Sequence, residues 1–288
     1  MVFTGTLQDL IVILGNLIGV PLNVVVIVIV KRTRSMQSTT NILLCNIAFA
    51  DIATILLQLQ RFGEKTISAG KILCSISSDV YWGVSALTFA LIAFERYMAL
   101  TKPMANARIK RENIWWAIAC LWLCAALFFV LPVSIFRTVC HKKVTGRLEC
   151  CYSFDETSRK VYFSVIFCFD VTNVMVTSFC YLSIVKGMYC DNSICSETVQ
   201  TKEEADEKRK IAIFLLFLTS IFMLAYIILG VFKFLDIFYF YAGLIPTAIL
   251  RILAFGFPVL NPLLYILFNS NYKAGFKKVV NDLKSRVR

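Results

Sequence analysis

With 58% hydrophobic residues and a mean hydropathy of +0.73 over 288 residues, the chain is too apolar for a soluble domain, whose apolar share is roughly 45–50%. Its formal net charge of +12 would suggest nucleic acid in a soluble protein, but no basic soluble domain exists to carry that role. The charge is read instead as membrane topology plus attraction to anionic inner-leaflet lipid, which makes membrane lipid a partner and nucleic acid not one.

Apolar windows of about twenty residues or more, each enough to cross roughly 30 Å of hydrocarbon as a helix, fall near 8–30, 41–60, 72–100, 114–136, 160–190, 208–234 and 240–268. They predict an all-α membrane protein: a seven-transmembrane helix bundle over 1–268, then an amphipathic surface helix and short basic tail over 269–288. The first window is followed, not preceded, by the basic run Lys31-Arg32-Thr33-Arg34, so it is expected to stay as a helix rather than leave as a signal peptide. Basic residues also cluster after windows three and five and in the tail. By the positive-inside rule those segments are cytoplasmic and the N-terminus lies outside, although the loop near 137–160 is also basic.

Window two carries Asp51 at its middle, in Asn46-Ile47-Ala48-Phe49-Ala50-Asp51. An ionised carboxylate there costs at least roughly 2.5–3.5 kcal/mol on insertion scales, so it needs a cation, a proton or donors. The amides of Asn23 in window one and Asn261 in window seven are candidates to reach it. Window three ends on Glu95-Arg96-Tyr97. A guanidinium closing a membrane-length helix needs a partner or must snorkel to water, and Glu95 can supply the partner.

The connection after window four, about 137–159, is long and charged and holds Cys140, Cys150 and Cys151; Cys74 stands at the outer mouth of window three. In an oxidising compartment a disulfide from Cys74 to this loop is expected, with the loop partner open among the three. Cys45, Cys120, Cys124, Cys168 and Cys180 sit inside windows, where cysteine behaves as a small apolar residue. Ahead of window six, an acidic run at 203–207 precedes Lys208-Arg209-Lys210, which supports a solvated helical extension into the cytosol.

Window seven contains Pro258 and Asn261-Pro262-Leu263-Leu264-Tyr265. A proline inside a helix removes a donor and frees a carbonyl, so this is a place where the helix can hold two arrangements. No inverted repeat or row of intramembrane acids marks a transporter. The single histidine, His141, leaves no catalytic set or metal-ligand cluster, so neither an enzyme nor a resident cofactor is expected.

Taken in order, Gly19 with Asn23, Asn46 to Asp51, Ser85 with Glu95-Arg96-Tyr97, Trp122 and Pro132, Tyr181, and Asn261-Pro262-Leu263-Leu264-Tyr265 give a chain that resembles a rhodopsin-like (class A) G-protein-coupled receptor, weakly nearest to peptide receptors. The resemblance covers nearly the whole chain. It implies a plasma-membrane receptor that passes binding of an extracellular ligand to a heterotrimeric G protein, with arrestin as a further candidate partner. Glu95, Arg96, Tyr97, Tyr181 and Tyr265 would then form the G-protein switch. Asp51, Ser85 and Asn261 resemble the family's sodium pocket, with the ion held at Asp51 and Ser85. Cys74 would pair with Cys150 or Cys151.

The chain departs from the family pattern in helix six, where Phe222-Met223-Leu224-Ala225-Tyr226 stands for the usual Cys-Trp-x-Pro. Met223 replaces the aromatic and Ala225 the kinking proline. Asn173 stands for the helix-five proline, and Phe257 replaces a polar residue near the sodium pocket. The ligand pocket is assigned to Asp79, Trp82, Met223 and Arg251. Asp79 and Arg251 either pair with each other across the bundle, or Arg251 receives a ligand carboxylate or amidated peptide end. The helix-six aromatics that accompany an amine-binding aspartate are missing, which disfavours an amine. No lysine lies between Tyr241 and Phe268 for a retinal Schiff base, so light sensing is not expected. The long, charged outer loop, with Gln58 and Arg61 near the outer end of helix two, resembles peptide receptors and makes a peptide the expected ligand, with lipid and odorant ligands left open.

Overall fold

A computed structural model describes residues 2–63, 69–101, 113–131, 138–144, 147–153, 156–189, 202–239 and 247–287. Its helices are α1 (Val2–Arg32), α2 (Thr39–Gly63), α3 (Ala69–Thr101), α4 (Ile114–Phe129), α5 (Glu156–Tyr189), α6 (Lys202–Tyr239), α7 (Thr247–Phe268) and α8 (Ser270–Val287). Among the described residues, Thr39–Leu57, Asp79–Leu100, Glu156–Gly187 and Arg209–Ile228 are long and apolar enough to cross a membrane, and Ile114–Phe129 and Gly256–Phe268 are shorter apolar helices. α6 begins at Lys202, so the charged run ahead of window six is helical, as its charge order suggests.

The turn between α1 and α2 is closed by local polar chemistry. α1 ends on Lys31 and Arg32, favourable charges at a helix C-terminus. Its free carbonyls find donors: Thr33 N–H reaches Ile29 O at 3.0 Å, and the Gln37 amide reaches Lys31 O at 3.1 Å. A 3-10 turn, Arg34–Met36, follows. Ser38 then caps α2, its hydroxyl accepting the Asn41 N–H at 3.3 Å.

Packing closes a ring in which α1 meets α2, α2 meets α3, α3 meets α5, α5 meets α6, α6 meets α7 and α7 returns to α1. α4 packs outside this ring on α3 and α2, and α3 also touches α6. The core that results joins α1, α2, α3, α6 and α7 through Ile29, Leu43, Phe89, Leu215, Phe222 and Tyr265. The outer faces stay apolar: Trp116 is 75% exposed and Leu182 69%. In water such faces would be a fault; in a bilayer they meet lipid, and Trp115-Trp116 at the start of α4 suit the interfacial belt.

α8 is docked rather than frayed. Asn269 caps it through Oδ1, which accepts the Asn271 N–H at 3.0 Å. Gly275 lets it approach α1 so closely that a Cβ there would lie 2.5 Å from Ile29 Cγ2, and Arg32 meets Asp282 at 3.6 Å. Lys273, Lys277 and Lys278 remain exposed.

The connection between α4 and α5, read from sequence only as a loop, contains an antiparallel hairpin of β1 (Thr138–Val144) and β2 (Arg147–Ser153). Cys140 stands opposite Cys151 in its register, and His141 opposite Cys150. The alternation signal was weak because the segment mixes cysteine and charge rather than apolar and polar residues. α4 is described over Ile114–Phe129; residues 132–136 of the window read to 136, Pro132 among them, lie outside the described residues.

Candidate functional site

At one end of the bundle three side chains make a closed polar set. Arg96 Nε donates to Glu95 Oε2 at 2.7 Å and Arg96 Nη2 to Glu95 Oε1 at 3.2 Å. Thr40, at the start of α2, donates its hydroxyl to Glu95 Oε2 at 2.9 Å and accepts from Arg96 Nη2. Glu95 is buried at 7% exposure, so the fork of two N–H groups and one hydroxyl is what makes its charge tolerable there. Arg96 also lines a cavity of about 240 Å³ with Thr40, Leu215, Asn269 and Tyr272, placed between α2, α3, α6 and the α7–α8 junction.

Tyr97 turns the other way, its ring 6.1 Å from Phe179 of α5. Two residues along α5 from that contact, the Tyr181 hydroxyl shares a 3.0 Å hydrogen bond with Thr219 of α6. Tyr265 is fully buried; among the described residues its hydroxyl has no partner, and its ring lies 5.8 Å from Tyr272. Tyr272 in turn donates to Asn41 Oδ1 at 3.2 Å, and burial pushes its hydroxyl well above the ordinary tyrosine range, so it stays a donor. Replacing Thr40 by valine removes the one group bonded to both members of the ion pair. We expect a loss of about 1–3 kcal/mol, read as a drop of a few degrees in the melting temperature of the purified protein. An unchanged melting temperature would show that the pair holds without it.

Deeper in the bundle, Asn261 donates to Asp51 Oδ2 at 2.9 Å. Both are buried, as is Ser85 on α3. Asn23 does not serve Asp51. Its amide donates to Gly19 O at 3.0 Å and to Pro258 O at 2.7 Å. The second bond has a direct cause: Pro262 has no N–H for the carbonyl four residues back, so a side chain from α1 supplies the missing donor. Replacing Asn23 by leucine should therefore uncover a buried carbonyl and lower stability by about 1–3 kcal/mol. Thermal unfolding of purified protein checks this, and a variant as stable as wild type would mean that another donor serves the kink. Beside this pair, Asn46 donates to Thr88 at 2.9 Å and accepts the Trp122 indole N–H at 3.0 Å, tying α2 to α3 and α4.

In the other half of the bundle α3 brings a large aromatic ring against helix six. Trp82 stacks on Phe222 at 5.7 Å and on Tyr226 at 6.1 Å, and meets Phe257 edge-on at 6.4 Å. Phe89 closes the group from below, 4.5 Å from Phe222. Met223 is buried in the same core. The departures at Phe222 and Phe257 thus belong to one packed unit in which the large ring sits on the facing helix.

Tyr226 also lies beside Asp170 of α5, and the carboxylates of Asp170 and Asp79 both act on its hydroxyl. Asp79 and Trp82 are thus brought to one place, with Met223 in the adjoining core; the Arg251 side chain lies outside the described residues, as do those of Cys74, Cys150 and Cys151.

Four residues that matter to this geometry escaped the sequence reading: Thr40, Asp170, Thr219 and Tyr272. Asp170 carried a usable signal, since an acid inside an apolar window marks a site by default. Thr40 and Thr219 carried none, because a threonine in a membrane helix ordinarily bonds its own backbone, as Thr54 does to Ala50 O at 2.9 Å.

Comparison with known proteins fits this geometry. The model of the family described as "7 transmembrane receptor (rhodopsin family)" matches residues 22–265. The chain is 25% identical over 185 residues to a rhodopsin of Enteroctopus dofleini, covering 60% of this chain but only 40% of that protein's length. It is also 25% identical over 288 residues to the bombesin receptor subtype-3 of Ovis aries, covering 90% of this chain and 71% of that protein. Among solved structures, squid rhodopsin superposes with a TM-score of 0.77 over 96% of this chain and 85% of its own, at 19% identity.

Proposed function

The chain belongs to the rhodopsin family of seven-transmembrane receptors, a family of multi-pass membrane receptors and not of enzymes, and from this premise we propose that it couples an extracellular peptide to a heterotrimeric G protein. The observation that carries the reading is the Glu95, Arg96 and Thr40 set beside an open cavity at one end of the bundle. In the arrangement described, Arg96 is held by Glu95 and Thr40. Release would free a guanidinium to meet the partner, with Tyr97, Tyr181 and Tyr265 as neighbours that rearrange. Tyr265 suits such a change because its buried hydroxyl is unpartnered among the described residues, so a second arrangement that satisfies it has something to gain.

Asp51, Ser85 and Asn261 are the residues we assign to an allosteric sodium ion. Oxygen donors suit a hard cation, and bound sodium would favour the resting arrangement. The peptide assignment is supported by the likeness to a bombesin receptor and by the absence of a lysine between Tyr241 and Phe268, which opsin chemistry requires. Cys74 is assigned to a disulfide with Cys150, since Cys151 stands opposite Cys140 in the hairpin register. We assign the chain to the plasma membrane by its family, and the basic clusters support an N-terminus outside.

One observation favours a second reading, a seven-helix receptor that does not signal through G proteins: with Met223 and Ala225 in α6 and the large ring on α3, the usual route from ligand to Arg96 is altered. A panel of Gα dissociation sensors in cells with confirmed surface expression, challenged with a peptide library, separates the two. Agonist-dependent or expression-dependent activation of at least one Gα supports coupling. Silence across the panel would move the assignment to the second reading.

A further inference from the structure

On the lipid side of the bundle, α4 and α5 leave a groove of about 570 Å³ between Phe128 and a face of α5 that includes Lys160, Val161, Val165 and Thr172. Lys160 to Thr172 is twelve residues, so the groove runs for about 18 Å along the helix. That is close to one leaflet, half of roughly 30 Å of hydrocarbon. Phe128 is 42% exposed and Val161 41%, and in a membrane receptor that exposure is to acyl chains, not water. The floor is rigid: the Phe169 ring packs 4.8 Å from Phe128 and 5.6 Å from Phe129. The Thr172 hydroxyl is already donated to Cys168 O at 2.8 Å, so the far end of the groove asks no polar partner of its occupant.

The near end is charged, in a fixed order. Lys160 lies in the groove wall, and its ammonium meets Glu156 Oε1 at 2.6 Å, one turn further toward the helix start and 73% exposed. As an exposed pair at this spacing it adds little to helix stability. As a surface it offers a cation at the groove mouth with its anion 2.6 Å from it, on the side toward the helix start. A zwitterionic phospholipid has the complementary order: acyl chain, then phosphate, then ammonium. A sterol hydroxyl would answer neither charge fully, and an anionic lipid would place no cation on Glu156.

We propose that this groove is a specific site for one zwitterionic phospholipid, its chain lying between α4 and α5 and its headgroup spanning Lys160 and Glu156. The leaflet is the one away from Arg96. Tyr181, which clusters with Ala93 and Tyr97 near Arg96, lies twenty-one residues further along α5, about 32 Å from Lys160. The inference depends on the membrane fold and not on coupling to a G protein.

The test is native mass spectrometry of the full chain released from micelles holding phosphatidylcholine, phosphatidylglycerol and cholesterol. One retained phosphatidylcholine is expected on the wild type, in preference to the other two. Val165→Trp, which fills the groove from its lipid side, should lower that adduct about tenfold. Glu156→Lys, at an exposed position that does not threaten folding, should turn the preference to phosphatidylglycerol. The proposal is overturned by a wild type that keeps no lipid or keeps cholesterol instead, or by an adduct equal in wild type and Val165→Trp. A phosphatidylcholine preference unmoved by Glu156→Lys, or a Val165→Trp variant that changes only the monomer–dimer balance, overturns it as well, the latter pointing to a second copy as the occupant.

Discussion

Arg96→Ala is expected to reduce G-protein activation at least about tenfold at matched surface expression, because it removes the group that would meet the partner and leaves Glu95 buried against Thr40 alone. Truncating one member of a buried, hydrogen-bonded charge pair ordinarily costs about 2–5 kcal/mol, much of it the penalty on the charge left behind. The same arithmetic predicts some loss of stability, so surface protein must be quantified alongside signalling. Glu95→Gln is the informative companion. It keeps the shape and a hydrogen bond to Thr40 but weakens the hold on Arg96, so basal activation should rise rather than fall. A dose–response of Arg96→Ala that matches wild type would remove Arg96 from the switch.

A large effect on folding is expected at Gly83. A Cβ there would lie 2.3 Å from Phe129 Cε2 and 3.0 Å from Cδ2. Phe129 cannot yield easily, since its ring is buried and packed edge-on against Phe169 at 5.6 Å. Gly83 is what lets α3 and α4 approach, the role small residues play where membrane helices meet. Gly83→Leu must push the helices apart or force the ring off its rotamer, with a cost of about 1–3 kcal/mol or more. We expect most of the protein to be lost from the cell surface and the purified remainder to melt several degrees lower. Gly256→Ala is the matched control: its Cβ would meet Leu260 Cδ1 at 4.0 Å, an ordinary contact, so it should behave as wild type. If both variants behave alike, the α3–α4 approach is not tight.

Both predictions rest on residues that a reader of the sequence can find to very different degrees. Arg96 was legible because a charge at the end of an apolar window is rare for a stated energetic reason. Its partner Glu95 was legible by adjacency. Thr40 was not, since nothing in Thr39-Thr40-Asn41 indicates that α2 begins beside the end of α3, fifty-six residues later in the chain. Gly83 is legible only as a glycine in a helix; that it faces Phe129 is a property of two helices packed together.

The assignment of Asn23 illustrates the same division at atomic scale. Sequence placed three polar groups, Asn23, Asp51 and Asn261, in three windows and could not apportion them. Packing did: Asn261 went to Asp51, and Asn23 to the carbonyl that Pro262 leaves without a donor. The rule that a proline orphans a carbonyl was available beforehand, but which side chain reaches it depends on how α1 lies against α7.

By itself the sequence determined the membrane class, the seven windows, the charged end of helix three and the proline-bearing end of helix seven, because each follows from the cost of putting a charge, a proline or an exposed backbone into hydrocarbon, and that cost is local to the chain. Only the tertiary structure decided that Trp82 on α3 stacks on Phe222 and Tyr226 of α6, that Asp170 lies beside Tyr226, that β1 and β2 pair between α4 and α5, and that α4 and α5 leave a groove one leaflet long. Those outcomes depend on which faces meet and at what distance, and side chains far apart in sequence carry no mark of their eventual neighbours.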